Sequence, residues 1–192
     1  MTLSDQTTTA ASAPQVRPGA TLRRLYFVRF GFAVVWALLL FLTGATPGPV
    51  LSVLVIIYPL FDAAAVLYQV RSADRAPATR VPELINVAVS VAVAVALGVA
   101  SAVSAPAVLG VWGVWAVASG IPQLITAIRR RRTGGQVPQI LSGAISVVAG
   151  AGFLAQAFGG AAAVTGIGGY AIVGAIFFLI SAIRLSLVLR RS

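Results

Sequence analysis

The chain has 192 residues, 59% hydrophobic and only 9% charged, so it lacks the polar surface that a water-soluble fold of this size needs. Its net charge of +10 is carried by arginine without one lysine, and the arginines flank apolar blocks instead of forming a basic face, which argues against nucleic acid as a partner. Cysteine and histidine are absent, which excludes disulfides, thiolate chemistry and imidazole ligands; no metal and no cofactor is expected.

Residues 1–20 are rich in Thr, Ser, Ala and Pro and read as a disordered cytoplasmic tail. They make a poor signal peptide, because the basic cluster Arg17, Arg23, Arg24 comes late and the apolar stretch behind it is long. Residues 21–192 then hold six apolar blocks, at about 25–42, 50–70, 84–103, 107–128, 140–158 and 165–187. Each approaches the roughly 20 residues that a helix needs to cross a bilayer core of about 30 Å. The third block alternates Val and Ala from Val87 to Ala96, a strand-like pattern. A lone strand in lipid leaves its backbone unpaired, so helix is predicted there too. The expected fold is an all-α membrane protein of six transmembrane helices.

Charge sets the orientation. Arg17, Arg23 and Arg24 precede the first block, with Arg29 just inside it. Arg71, Arg75 and Arg80 follow the second, Arg129, Arg130, Arg131 and Arg132 follow the fourth, and Arg184, Arg190 and Arg191 end the chain. The connections 43–49, 104–106 and 159–164 carry no charge. Six spans put every arginine on one side, which the positive-inside rule makes cytoplasmic, with both termini. The expected location is the bacterial inner membrane.

The blocks group as hairpins of about 21–75, 76–132 and 133–192. Val81-Pro82-Glu83-Leu84-Ile85-Asn86 matches Val137-Pro138-Gln139-Ile140-Leu141-Ser142, and Leu124-Ile125-Thr126-Ala127-Ile128-Arg129 matches Leu179-Ile180-Ser181-Ala182-Ile183-Arg184. We read three related hairpins, the first diverged. Asn86, Ser90, Ala94, Gly98 and Ala102 recur every fourth residue, as do Ser142, Ser146 and Gly150. Such stripes of small residues suit close helix packing in lipid; lining a substrate path is the other use.

Asp62 is the one acid well inside a span, where ionisation is costly and function is the default hypothesis. Three readings stay open: an ion pair with Arg29 of the first span, a hydrogen-bonded neutral acid while Arg29 snorkels to the headgroups, or a proton relay. Pro59 and Pro122 can kink their helices, and Gln123 needs a partner inside the bundle. Trp112, Trp115 and Tyr58 suggest a ligand cage, but Trp112 is expected to anchor at the outer interface. No serine or threonine has a histidine base, no two acids share a pocket, and no phosphate loop occurs; no enzyme activity and no catalytic residue is expected. The expected partners are the bilayer, anionic headgroups at Arg129–Arg132, and a second copy or another membrane protein.

The hairpin repeats, Gly120-Ile121 before Leu124–Arg129, and the same ending at Ile180-Ser181-Ala182-Ile183-Arg184 resemble the HdeD-type acid-resistance membrane proteins, a bacterial short-repeat family with six predicted spans and no established biochemical activity. The resemblance covers roughly residues 25–191 and is strongest from Gly110 onward. Asp62 stands where the later hairpins have Gly120 and Ala175, a departure from the pattern. The resemblance implies an inner-membrane protein acting in acid or envelope stress, or as a membrane partner, and supplies no catalytic residues. The alternative is a small transporter or proton-linked channel using Asp62.

Overall fold

The computed structural model describes residues 18–43, 47–72, 80–129, 131–133, 137–160 and 164–191. Most of the expected N-terminal tail lies outside them, as do Arg17, Arg75, Arg130 and the side chain of Arg191. The described residues form six long helices: α1 Pro18–Leu42, α2 Pro49–Ser72, α3 Val81–Val103, α4 Ala105–Arg129, α5 Val137–Phe158 and α6 Thr165–Arg191, with a short 3-10 turn at Arg131–Thr133. All six are long and apolar enough to cross a membrane.

Each of α1 to α5 has proline in its first turn, at Pro18, Pro49, Pro82, Pro106 and Pro138, where the missing N–H costs no helical bond. Only Ser104 separates α3 from α4. It adopts extended backbone, donates its N–H to the Ala100 carbonyl at 3.0 Å, and caps α4 by accepting the Ala107 N–H on its hydroxyl at 3.2 Å. Helix α1 starts at Pro18, ahead of the apolar block and inside the stretch expected to be tail, because Arg23 and Arg24 favour helix as well as any apolar residue.

The helices form a ring in chain order that closes where α6 meets α1. The tight pairings are α4 with α5, α1 with α6, and α2 with α3; the two arms of each sequence hairpin touch more loosely, α5 and α6 least of all. Glycine explains the tightest pair. A Cβ on Gly113 would lie 2.8 Å from the carbonyl oxygen of Gly150, and one on Gly120 would lie 2.9 Å from that of Gly143. Both helices place these glycines seven residues apart, two turns along one face, so the backbones meet over their whole shared length. The stripe that closes this contact is therefore Gly143 and Gly150, with Ser142 turned elsewhere.

The ring is asymmetric along its axis. At the end remote from the arginines every helix contributes to one dense core, including Leu40, Leu51, Leu97, Leu109, Phe153 and Ile167. Toward the arginine end the interior turns polar, while the outward surface stays apolar, as at Phe27, Ile85, Ile125, Leu141 and Ile183. An apolar exterior with the polar groups turned inward suits a bundle in lipid and not one in water.

Candidate functional site

The polar interior is organised on Asp62. Its Oδ1 forms an ion pair with Arg29 Nη2, and its Oδ2 accepts from Asn86 Nδ2 at 3.3 Å and Ser90 Oγ at 3.2 Å. Asn86 and Ser90 lie one turn apart on α3, so the tight α2–α3 pairing delivers both to the same oxygen. The guanidinium of Arg29 also lies 4.4 Å above the ring of Phe178, a cation–π contact from α6. Four helices thus converge on one pair of charges, whose side chains are only 14% and 18% exposed.

Beside the pair lies a cavity of about 330 Å³. Arg29, Tyr58, Asp62, Asn86, Ser119, Gln123, Ser142, Ser146 and Tyr170 give it polar walls; Trp115, Ile145, Val173, Phe177 and Phe178 give it an apolar side. Two further cavities, of about 260 and 510 Å³, adjoin it toward the arginine end and share Arg29, Asn86, Gln123 and Ser142 with it. A cavity of this size, with several polar side chains on its walls, has room for water. Gln123 stands at the junction of all three and donates to Gln139 Oε1 at 3.3 Å.

Aromatic rings close the far side. Tyr58 stacks edge-on against Trp36 at 4.7 Å and against Trp115 at 6.2 Å, and Trp112 lies 5.6 Å from Trp36 and 5.4 Å from Trp115. Trp36 is fixed by donating its indole N–H to the Leu54 carbonyl at 2.7 Å, in the turn before Pro59. This corrects the expectation for Trp112. It is fully buried at the centre of the ring, not an anchor at the lipid interface, because its face of α4 turns toward Trp36 and Tyr58. Its indole nitrogen has no hydrogen-bond partner among the described residues and sits among rings instead.

The small-residue stripes divide. Ser90 and Ala94 are buried, Gly98 faces Ile56 of α2, and Ala102 is exposed. Gly150 packs on α4, whereas Ser142 and Ser146 line the chamber, where Ser146 and the Tyr170 hydroxyl are 2.9 Å apart. Arg23, Arg24, Arg71, Arg80, Arg129, Arg131, Arg132, Arg184 and Arg190 all lie toward one end of the bundle.

Sequence reasoning missed Trp36, Ser119 and Tyr170. A signal for two of them exists in the spacing. Tyr58, Trp115 and Tyr170 are 57 and 55 residues apart, and so are Asp62, Ser119 and Gly174, which corrects by one residue the expected equivalence of Asp62 with Gly120 and Ala175; Arg29, Asn86 and Ser142 are 57 and 56 apart. All nine line the same chamber.

No curated protein and no solved structure is similar to this chain. Residues 85–155 match the model of a family described as a short repeat of unknown function (DUF308). The matched stretch runs through most of α3, all of α4 and most of α5, and so contains the glycine-paired helices; in this part the chain is similar to that family.

Proposed function

We propose that this is a non-enzymatic, multi-pass protein of the bacterial inner membrane whose working part is the chamber on Arg29 and Asp62, which binds a small polar solute entering from the cytoplasm. The observation that carries the reading is the 330 Å³ cavity, polar on one side, that reaches an intramembrane ion pair. Bundle packing alone has no use for it, since an unfilled polar hollow in lipid costs stability. The arginines at the open end support a cytoplasmic mouth and cytoplasmic termini. The three sets of chamber residues at near-constant spacing support three related hairpins around a pseudo-three-fold axis, with charge concentrated in the first. The non-enzymatic part rests on the sequence, which has no histidine or cysteine, and on a chamber wall with no second acid among the described residues.

The test is a thermal-stability screen of the purified protein in detergent against small carboxylates, amines, amides and polyols. At least one solute raises the melting temperature of the wild type, and Ser119→Phe, which fills the chamber, removes the effect. A screen without a single chamber-dependent shift sinks the reading.

A second reading, a role in acid or envelope stress of the HdeD type, is supported by the short-repeat match. It predicts reduced survival of a deletion strain at low pH, restored by the intact gene. Wild-type survival of that strain rejects it.

A further inference from the structure

We propose that the chamber binds small monocarboxylates, with Arg29 anchoring the ligand and Asp62 acting as a resident counter-ion that the ligand displaces as Asp62 takes up a proton. This rests on the reading of the chamber as a solute site and names its ligand.

Both oxygens of Asp62 are already engaged, one by Arg29 and the other by Asn86 and Ser90. The carboxylate therefore has little left to offer a ligand. Arg29 differs: a guanidinium has five N–H donors, Asp62 meets it at one nitrogen, and the group lines two of the three cavities. The hydroxyls of Tyr58 and Ser142 add rotatable donors to the same walls. A donor-rich chamber with its one carboxylate occupied selects an acceptor-rich ligand, and a planar carboxylate matches the guanidinium fork.

Charge neutrality supplies the coupling. Among the described residues, Arg29 and Asp62 are the only formal charges on the chamber wall. From α1 only Arg29 faces Asp62; α2 itself adds Tyr58, and α6 adds Tyr170. Helix α3 contributes the neutral Asn86 and Ser90, with Glu83 one turn nearer the mouth on the adjoining cavity, and α4 and α5 contribute only Trp, Ser, Gln and Ile. A ligand anion arriving alone would leave one uncompensated negative charge inside the membrane, which is costly. Arriving with a proton, it leaves none: the ligand carboxylate takes Asp62's place on Arg29, and Asp62 becomes a neutral acid still held by Asn86 and Ser90.

The rest of the chamber suits the rest of such a ligand. Trp115, Ile145, Val173 and Phe177 form an apolar wall for its hydrocarbon part. The exposed Arg71, Arg129, Arg131 and Arg132 at the open end attract anions toward the mouth.

Calorimetric titration of the full-length protein in detergent with benzoate, benzamide and benzylamine tests this, between about pH 6 and 8, where benzoic acid is ionised. Benzoate binds at least ten times more tightly than benzamide. Buffers of different ionisation enthalpy report one proton taken up per benzoate, and the affinity rises about tenfold for each pH unit lowered while Asp62 is ionised. Arg29→Gln loses benzoate binding. Asp62→Asn binds benzoate more tightly than the wild type, without the pH dependence. Equal affinity for benzamide, no proton uptake, or a pH dependence that persists in Asp62→Asn overturns the proposal. If Asp62→Asn does not fold, proton uptake by the wild type decides. Chamber-dependent binding of benzylamine or benzamide in preference to benzoate rejects the carboxylate and leaves the solute site standing; binding of no probe or screened solute rejects both.

Discussion

Gly113→Ala and Gly150→Ala are each expected to cost about 1–3 kcal/mol of stability in detergent, the usual range for forcing a methyl into a packed contact. Gly152→Ala and Gly169→Ala are expected to leave stability unchanged, or to raise it by up to about 1 kcal/mol. The same substitution has opposite signs because of what the new methyl meets. At Gly113 it would lie 2.8 Å from the carbonyl oxygen of Gly150, and at Gly150 it would lie 2.7 Å from that of Gly113. These neighbours are main chain, so no side-chain rotation relieves the clash and the two helices must separate. At Gly152 and Gly169 nothing lies within 4 Å, and alanine simply removes glycine's excess freedom in the unfolded chain. Thermal unfolding followed by fluorescence-detected gel filtration reads both signs. Alanine tolerated at both Gly113 and Gly150 would mean that α4 and α5 do not approach this closely. The consequence reaches the site, since α4 carries Ser119 and Gln123 and α5 carries Ser142 and Ser146 into the chamber. Separating them widens the cavity as it weakens the bundle, so solute binding should fall with stability.

Membrane class and span number were legible in the sequence because both follow from solvent. Lipid tolerates long apolar helices and confines arginine to their ends, and both signals run along the chain in plain order. Asp62 and Arg29 were legible for a related reason: each is a charge set well inside an apolar block, far enough from its end to invite a partner. What the sequence hid was which face of each helix turns where. Consecutive helices suggest hairpins as the packing units, yet the tight contacts join α2 to α3, α4 to α5 and α6 to α1. That choice depends on where small residues leave room for a neighbouring backbone, and Gly143 looks no more special than Gly152 until the partner helix is present. Trp112 illustrates the same gap. It sits seven residues into α4, about 10 Å below the helix end at 1.5 Å per residue. An indole near that depth serves equally as an interface anchor or as core; the rotation of α4 about its axis decides, and periodicity within one helix does not report it. The chamber was least legible, because a cavity is a property of several helices together. Ser119, Ser142 and Tyr170 carry no signal singly. They acquire one only when their spacing is read with that of Asp62, Arg29 and Tyr58.

Arg29→Gln and Asp62→Asn are each expected to destabilise the protein by about 3 kcal/mol, the lower end of the range for breaking a buried pair, since the chamber gives water some access to the survivor. The double variant should lose less than the sum of the two. Both replacement side chains are neutral amides, so no charge is left stranded, and the amide oxygen introduced by Asp62→Asn can still accept from Asn86 and Ser90. A coupling of about 2 kcal/mol is the expected result of the cycle, read from unfolding midpoints in one detergent. Additive losses would show that each charge is stabilised separately, Arg29 by Phe178 and solvent, Asp62 by the α3 donors. The cycle also bears on why the pair is held as it is. Asn86 and Ser90 bind the carboxylate oxygen that Arg29 leaves free, so removing Arg29 strips Asp62 of its countercharge but not of its position. An acid fixed in place by neutral donors, with its cation on a different helix, is one whose charge can be exchanged without collapsing the site. If Arg29→Gln instead proves far more damaging than Asp62→Asn, then the guanidinium is what holds α1, α2 and α6 together, and a ligand could not borrow it from Asp62 without loosening the ring.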